Sequence, residues 1–246
     1  MCTIVFAWSW RPGVSLVLAA NRDEGVDRPS DPPALLRQTP PLWGGRDLLA
    51  GGTWLAVDPR GRVCAVTNRH PGGRRPERDA ARRSRGEVPL TVLEGGDDLS
   101  ATRAIDAMRA EQYNPVNVLY LSAGTAYWGG LDDEAGVRRT SLAPGVHVLT
   151  EQDPDDPASE KAAALLGDAR CVAERATDAD ELLLGFRSLL RSHDRRGRGP
   201  EAAACIHETL FGTVSSATVT VSPTGTRYEH AEGHPCVTEY QSVLPA

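Results

Sequence analysis

The chain has 246 residues, 40% hydrophobic and 24% charged, with a formal charge of −6 and a pI near 5.6. That balance suits a globular protein with a full core and argues against a nucleic-acid binder, whose surface is basic. Small molecules or proteins are the partners left. In chain order, "TIVFAW" and "VSLVLAA" flank "SWRPG", whose Pro-Gly marks a turn and predicts a hairpin. "TWLAVD" and "RVCAVT" around "PRG" repeat the pattern. "DDLSATRAIDAMRAEQY" has an Asp/Ser-rich start and a helical apolar period; "VNVLYLS", "AYWGGL" and "GVHVLT" return to strands. Two helical segments follow, "DPASEKAAALLGDARCVAERA" and "TDADELLLGFRSLLRSH", the second with Thr177 as N-cap. "SATVTVS", "PTG" and "TRYEHAE" close with another hairpin. Short strands joined by tight turns predict antiparallel sheets, and their alternation with helix blocks predicts a layered α+β architecture in one domain spanning 1–246. The Arg/Gly/Pro-rich segments "RHPGGRRPERDAARRSRGE" and "SHDRRGRGPE" read as mobile loops.

Five scattered cysteines (Cys2, Cys64, Cys171, Cys205, Cys236) contain no CxxC pair. A disulfide framework or structural zinc site is therefore not expected, and a cytoplasmic setting is. The start lacks the basic n-region of a signal peptide, and the longest apolar run, "VSLVLAA", is far short of a membrane span. The familiar site patterns GxSxG, HExxH, GxGxxG and the P-loop lysine motif do not occur. His230, His234 and Cys236 stand close together in "EHAEGHPC", but the segment reads as a strand running into a turn, where the two His share no helical face. No metal is expected there. The arginines from Arg69 to Arg85 lack interleaved aromatics and include Glu77 and Asp79, which fits a solvated loop over an anionic ligand better than an RNA surface.

Strand ends are more informative. "LAANRDEGVDRPS" delivers Asn21, Arg22, Asp23 and Glu24 at the end of one strand, and "GGTWLAVDPRGRVCAVTN" delivers Asn68 at the end of another. Taken alone these are turn residues with a weak local ion pair. "MC" at the start, "AANRDE" with "RPS", "GGTWL", "VTN", "SRGE", "YNPVNVLYL", "PGVHVLT" and "FGTVSSATVTV" occur in the order seen in the NRDE family, and the chain resembles that family over nearly its whole length. The family, which takes in transport and Golgi organisation protein 2-like chains, is in turn similar to cysteine N-terminal-nucleophile hydrolases of the penicillin V acylase and bile salt hydrolase type.

The resemblance implies a four-layer αββα sandwich of two antiparallel sheets. It implies that Cys2 becomes N-terminal once Met1 is removed and attacks an amide carbonyl, its own α-amine serving as base. An α-amine titrates near 7.7–8 in model compounds, so a neutral fraction is available for that work. By the same resemblance Asp23 holds the α-amine, Arg22 stabilises the thiolate from beside the acylase Arg position, here Ala20, and Asn68 donates to the oxyanion. Glu24, Glu151 and His70 are the implied substrate-binding residues. Two departures stand out. Glu151 in "VLTEQD" replaces a family Asn, and Val214 in "FGTVSS" replaces a frequent Arg, removing one oxyanion donor and one positive charge. The expected activity is an amidohydrolase or acyltransferase on a small linear amide or acyl substrate, with no cofactor. The alternative is a non-catalytic haem or lipid/acyl-CoA binding protein with His70 as the candidate axial ligand. An inert relic of the fold is a third, weaker reading.

Overall fold

The structure is a computed structural model and describes residues 2–195 and 198–244. Processing of Met1 and the centre of the loop predicted from "SHDRRGRGPE", at Arg196 and Gly197, lie outside the described residues. The strands and helices run β1 (Thr3–Arg11), β2 (Val14–Gly25), β3 (Ser30–Gln38), β4 (Pro41–Asp47), β5 (Leu55–Val57), β6 (Val63–Asn68), α1 (Val88–Val92), α2 (Asp98–Asp106), β7 (Val116–Leu121), β8 (Ala126–Asp132), β9 (Gly136–Ser141), β10 (Gly145–Leu149), α3 (Glu160–Arg175), α4 (Ala179–Leu190), β11 (Phe211–Ser222), β12 (Gly225–Glu232) and β13 (Gln241–Ser242). Both sheets are antiparallel throughout. The chain forms two compact units: Met1–Arg28, Pro144–Thr150 and Pro154–Ala246 make the first, Pro29–Ala143 and Glu151–Asp153 the second.

The first unit holds a sheet of order β10-β1-β2-β11-β12-β13 with α3 and α4 on one face. Strand alternation decides what that face carries. Val5, Ala7, Val17, Ala19, Val146 and Val148 point at the helices and meet Ala162, Leu165, Leu166 and Ala169 of α3 and Leu182, Leu183, Phe186 and Leu190 of α4. The small side chains let the helices sit close. Gly185 does the same between them, because a Cβ there would run into Val172. The N-cap of α4 is Asp178 and not the expected Thr177: Asp178 accepts from the amides of Asp180 and Glu181, both at 2.9 Å. Thr177, one residue earlier, donates its N–H and hydroxyl to Glu181 instead.

The second unit is a meander, β3 to β9 in sequence order, with α1 and α2 on one face. Cys64, Val66, Val118, Tyr120 and Leu131 pack against Val88, Val92, Ala101 and Ile105. α2 is shorter than its apolar period suggested and starts after Asp97, whose carboxylate caps the Ser100 amide at 2.7 Å. The segment 69–87 was expected to be a solvated, mobile loop. It has little regular structure, yet Arg69 and His70 are buried, and Arg82 and Arg85 reach the carbonyls of Tyr113 and Pro115. The expectation fails for Arg69 because its guanidinium has two carboxylates to meet, Asp132 at 2.7 Å and Asp153 at 2.8 Å.

Candidate active site

In the first unit the sequence places a run of polar residues, Asn21 to Glu24, at the end of β2, and the sheet sorts them by face. Asn21 and Asp23 lie on the helix side: Asn21 Nδ2 donates to the carbonyls of Leu190 and Ala204, both at 2.9 Å. Arg22 lies on the opposite face. Thr3 pairs with Asn21, so the next rung of the ladder brings Cys2 opposite Arg22. Cys2 is half-buried, and its sulfur accepts the backbone N–H of Asp23. Burial pushes the Cys2 thiol up, while that N–H and the Arg22 charge pull it down.

Asp23 is 4% exposed. Thr213 Oγ1 donates to its Oδ1 at 2.6 Å and itself accepts the Ile206 amide at 2.9 Å. Thr213 comes to face Asp23 through a bulge. The pairing of β11 with β2 slips between Thr213 and Ser215, so Thr213 opposes Asp23 while Ser215 opposes Arg22. The extra residue is Val214, the family's Arg position, and its carbonyl accepts the Gly233 amide. Lys161, the only lysine in the sequence, is also buried; it donates to the Glu201 carbonyl at 3.3 Å, and its charge acts on Asp23. His230 of β12 pairs with Ala217 of β11, which pairs in turn with Ala20, two residues before Arg22 on β2; His230 Nε2 lies 2.9 Å from Glu232. Burial lowers its pKa, Glu232 works against this, and the charge of Arg22 adds to the lowering. Glu24 turns away from this group: its Oε1 accepts the Gly25 amide, and it pairs with Arg28 at 3.7 Å.

Burial pushes the Asp23 carboxyl above its ordinary value near 3.8, against the pull of Lys161 and Thr213. Folded protein therefore keeps this proton at pH values where the unfolded chain has released it. Stability contributed at this position is lost as pH rises from about 4 towards the folded value. Asp23→Asn is expected to remove that component. In urea titrations from about pH 4 to pH 8, the wild type should lose stability relative to the variant by up to ~1.4 kcal/mol per pH unit inside the window. Parallel curves would show that Asp23 titrates normally.

In the second unit, Asn68 forms the last rung of β6, opposite Val116. His70 and Glu151 come together: the His70 amide donates to the Glu151 carbonyl at 2.7 Å. Burial lowers the His70 imidazole, Glu151 raises it, and Arg75 and Arg85 add to the lowering. Glu151 is 9% exposed, and its Oε2 is buried with no hydrogen-bond partner among the described residues. Between Asn68 and His70 sits Arg69, whose Nη1 also donates to Asn117 at 2.9 Å; Asn117 in turn donates to Thr67 and to the Gln152 carbonyl.

Three of the groups just described were not foreseen. Thr213 depends on a bulge that local sequence does not announce. Arg69 depends on acids far along the chain. Lys161 did leave a signal, as a lone lysine among arginines.

A family model described as Transport and Golgi organisation 2 matches residues 1–232. The chain belongs to the Transport and Golgi organisation 2 family. Among its relatives is the human Transport and Golgi organization protein 2 homolog, 34% identical over 164 residues, or 61% of this chain and 56% of that one. The mouse homolog is 30% identical over the same lengths. The aligned region thus spans little more than half of the curated relatives. Solved structures similar to this Transport and Golgi organisation 2 chain include an N-acylethanolamine-hydrolyzing acid amidase ortholog of Caenorhabditis elegans. Its TM-score is 0.59 at 12% identity, over 88% of this chain and 92% of that one. A variant of conjugated bile acid hydrolase from Clostridium perfringens gives 0.56 at 11% identity, over 100% and 97%. At such identities the likeness is one of fold. The α+β class and the N-terminal-nucleophile hydrolase fold expected from the sequence are the ones found.

Proposed function

We propose that the chain is a cysteine N-terminal-nucleophile amidohydrolase or acyltransferase on a small linear amide, with Cys2 as nucleophile once Met1 is removed. The observation that carries this reading is the buried Asp23, fixed by Thr213 and facing Lys161, whose own backbone N–H reaches the Cys2 sulfur. A carboxyl group held at the start of the chain in this way suits the orientation of an α-amine. The freed amine takes the thiol proton as sulfur bonds to the carbonyl carbon; the C–N bond then breaks, and the proton leaves with the amine product. Water, or a second acceptor, then cleaves the thioester. Arg22 offsets the negative charge as it forms on sulfur, and the family resemblance gives Asn68 the role of oxyanion donor. His70, Glu24 and Glu151 stay the candidate substrate contacts, with Glu151 suited to a cationic group.

Intact mass of the purified protein tests the premise. The expected mass lacks the initiator Met, and incubation with N-acylethanolamines or bile-acid conjugates, the amides named for the two similar structures, should add an acyl group. A retained Met1 blocks the amine and ends this reading.

A further inference from the structure

Four side chains from separated stretches of the first unit converge: His193 just after α4, Cys205 and His207 ahead of β11, and Cys236 in the turn after β12. One ligand atom from each lies within 4.8 Å of every other. His207 Nε2 is 3.3 Å from Cys236 Sγ and 3.5 Å from Cys205 Sγ. A tetrahedral zinc ion with bonds of about 2.3 Å to sulfur and about 2.05 Å to nitrogen sets sulfur and nitrogen about 3.6 Å apart, close to the spacing found. We infer that His193, Cys205, His207 and Cys236 form a tetrahedral Cys2His2 site for a zinc ion.

The surroundings fit ligation. His193 Nδ1 lies 3.0 Å from the Cys205 carbonyl, so a proton donated there leaves Nε2 with the free lone pair. His234 stacks on His207 with ring centroids 3.7 Å apart and fixes the plane of that ring, while the His193 ring meets it edge-on at 4.7 Å. The two imidazoles are exposed, which gives an ion a way in, and Cys205 is buried behind them. Binding balances as one Zn²⁺ taken up and two thiol protons released, giving a neutral centre.

The position gives the ion something to hold. Cys205 and His207 flank Ile206, whose backbone exchanges both its hydrogen bonds with Thr213, the residue that donates to Asp23. Zinc there would fasten α4, the approach to β11 and the turn after β12 into one frame. The sequence sets His230, His234 and Cys236 side by side, and no metal is expected of those three. Only Cys236 of those three belongs to the cluster; the other three ligands lie 29 to 43 residues upstream of it.

The test uses the full chain, purified under reducing conditions, with zinc or cobalt(II) as probe. Zinc analysis is expected to give one ion per chain after dialysis, and cobalt should show tetrahedral d–d bands with thiolate charge-transfer absorption. Chelation should lower the melting temperature. His193→Ala and Cys236→Ser, both at positions that are not buried, should lose the ion and the cobalt spectrum while keeping the far-UV circular dichroism of the wild type. Cys2→Ala should keep both, which separates this proposal from the catalytic one. Equal zinc content in wild type and the two ligand variants would overturn it. So would a Cys205–Cys236 disulfide in the metal-free native protein, seen as a mass two hydrogens lower.

Discussion

Cys2→Ala is expected to abolish acyl-adduct formation and to lower amide turnover by at least about 10⁴-fold, with little change in urea midpoint. Removing a covalent nucleophile leaves only binding and oxyanion stabilisation, and losses of that order follow in nucleophile-dependent hydrolases. The stability cost is small because Cys2 is half-buried and lies before the first paired residue of β1. Alanine still permits removal of Met1, so the variant presents the same free amine without the sulfur. Cys2→Ser sharpens the result. It keeps both the amine and the proton to be moved, but an alcohol gives up its proton far less readily than a thiol. Turnover should therefore fall between wild type and Cys2→Ala, and any adduct should change from thioester to ester. Full activity in Cys2→Ala would mean that the nucleophile is another group, and Asp23 and Arg22 would lose their assigned roles with it.

What the sequence made legible, and what it hid, follows from the range of the interactions involved. The β1–β2 hairpin, β5 to β8, and the β11–β12 hairpin are written in local alternation and turn residues, and α3 and α4 in helical period. β3 and β4 are not. "SDPPALLRQ" carries Pro32 and Pro33, which read as breakers, and it forms a strand because β3 is an edge strand paired only with β4. β9, "GVRRTS", is the opposite edge and too polar to stand out. At the candidate site, Arg22 and Asp23 were visible because they stand side by side at one strand end. Their faces were not, since these depend on register: the same alternation that separates them is what places Cys2 by Arg22 and Thr213 by Asp23. The zinc cluster was hidden for a stronger reason, because tertiary folding alone joins segments around residues 193, 206 and 236.

Asp132→Asn is expected to be the most destabilising conservative change in the second unit, at about 3 kcal/mol, or a urea midpoint lower by roughly 1.5 M. Arg69 is 2% exposed and Asp132 1%. Their charges meet at 2.7 Å between Nε and Oδ2, while Asp132 Oδ1 accepts the amides of Glu134 and Ala135. Asparagine keeps the turn contacts but sets an N–H against the guanidinium, leaving a buried cation with Asp153 as its remaining carboxylate. Loss of one partner from a buried pair costs far more than the pair is worth, because the other charge stays desolvated. Two controls separate this from ordinary surface electrostatics. Arg138→Ala removes an exposed pair with Asp153 and should cost less than about 1 kcal/mol. In an Arg69→Met background Asp132→Asn should cost little, since no cation is left to strand, and the difference between backgrounds is the coupling energy. The pair also bears on the candidate site: Arg69 lies between Asn68 and His70 in the chain, so its anchoring to β8 fixes the backbone that presents both. If Asp132→Asn costs no more than Arg138→Ala, the buried network does not hold that strand end, and Asn68 must be positioned by the β6–β7 ladder alone.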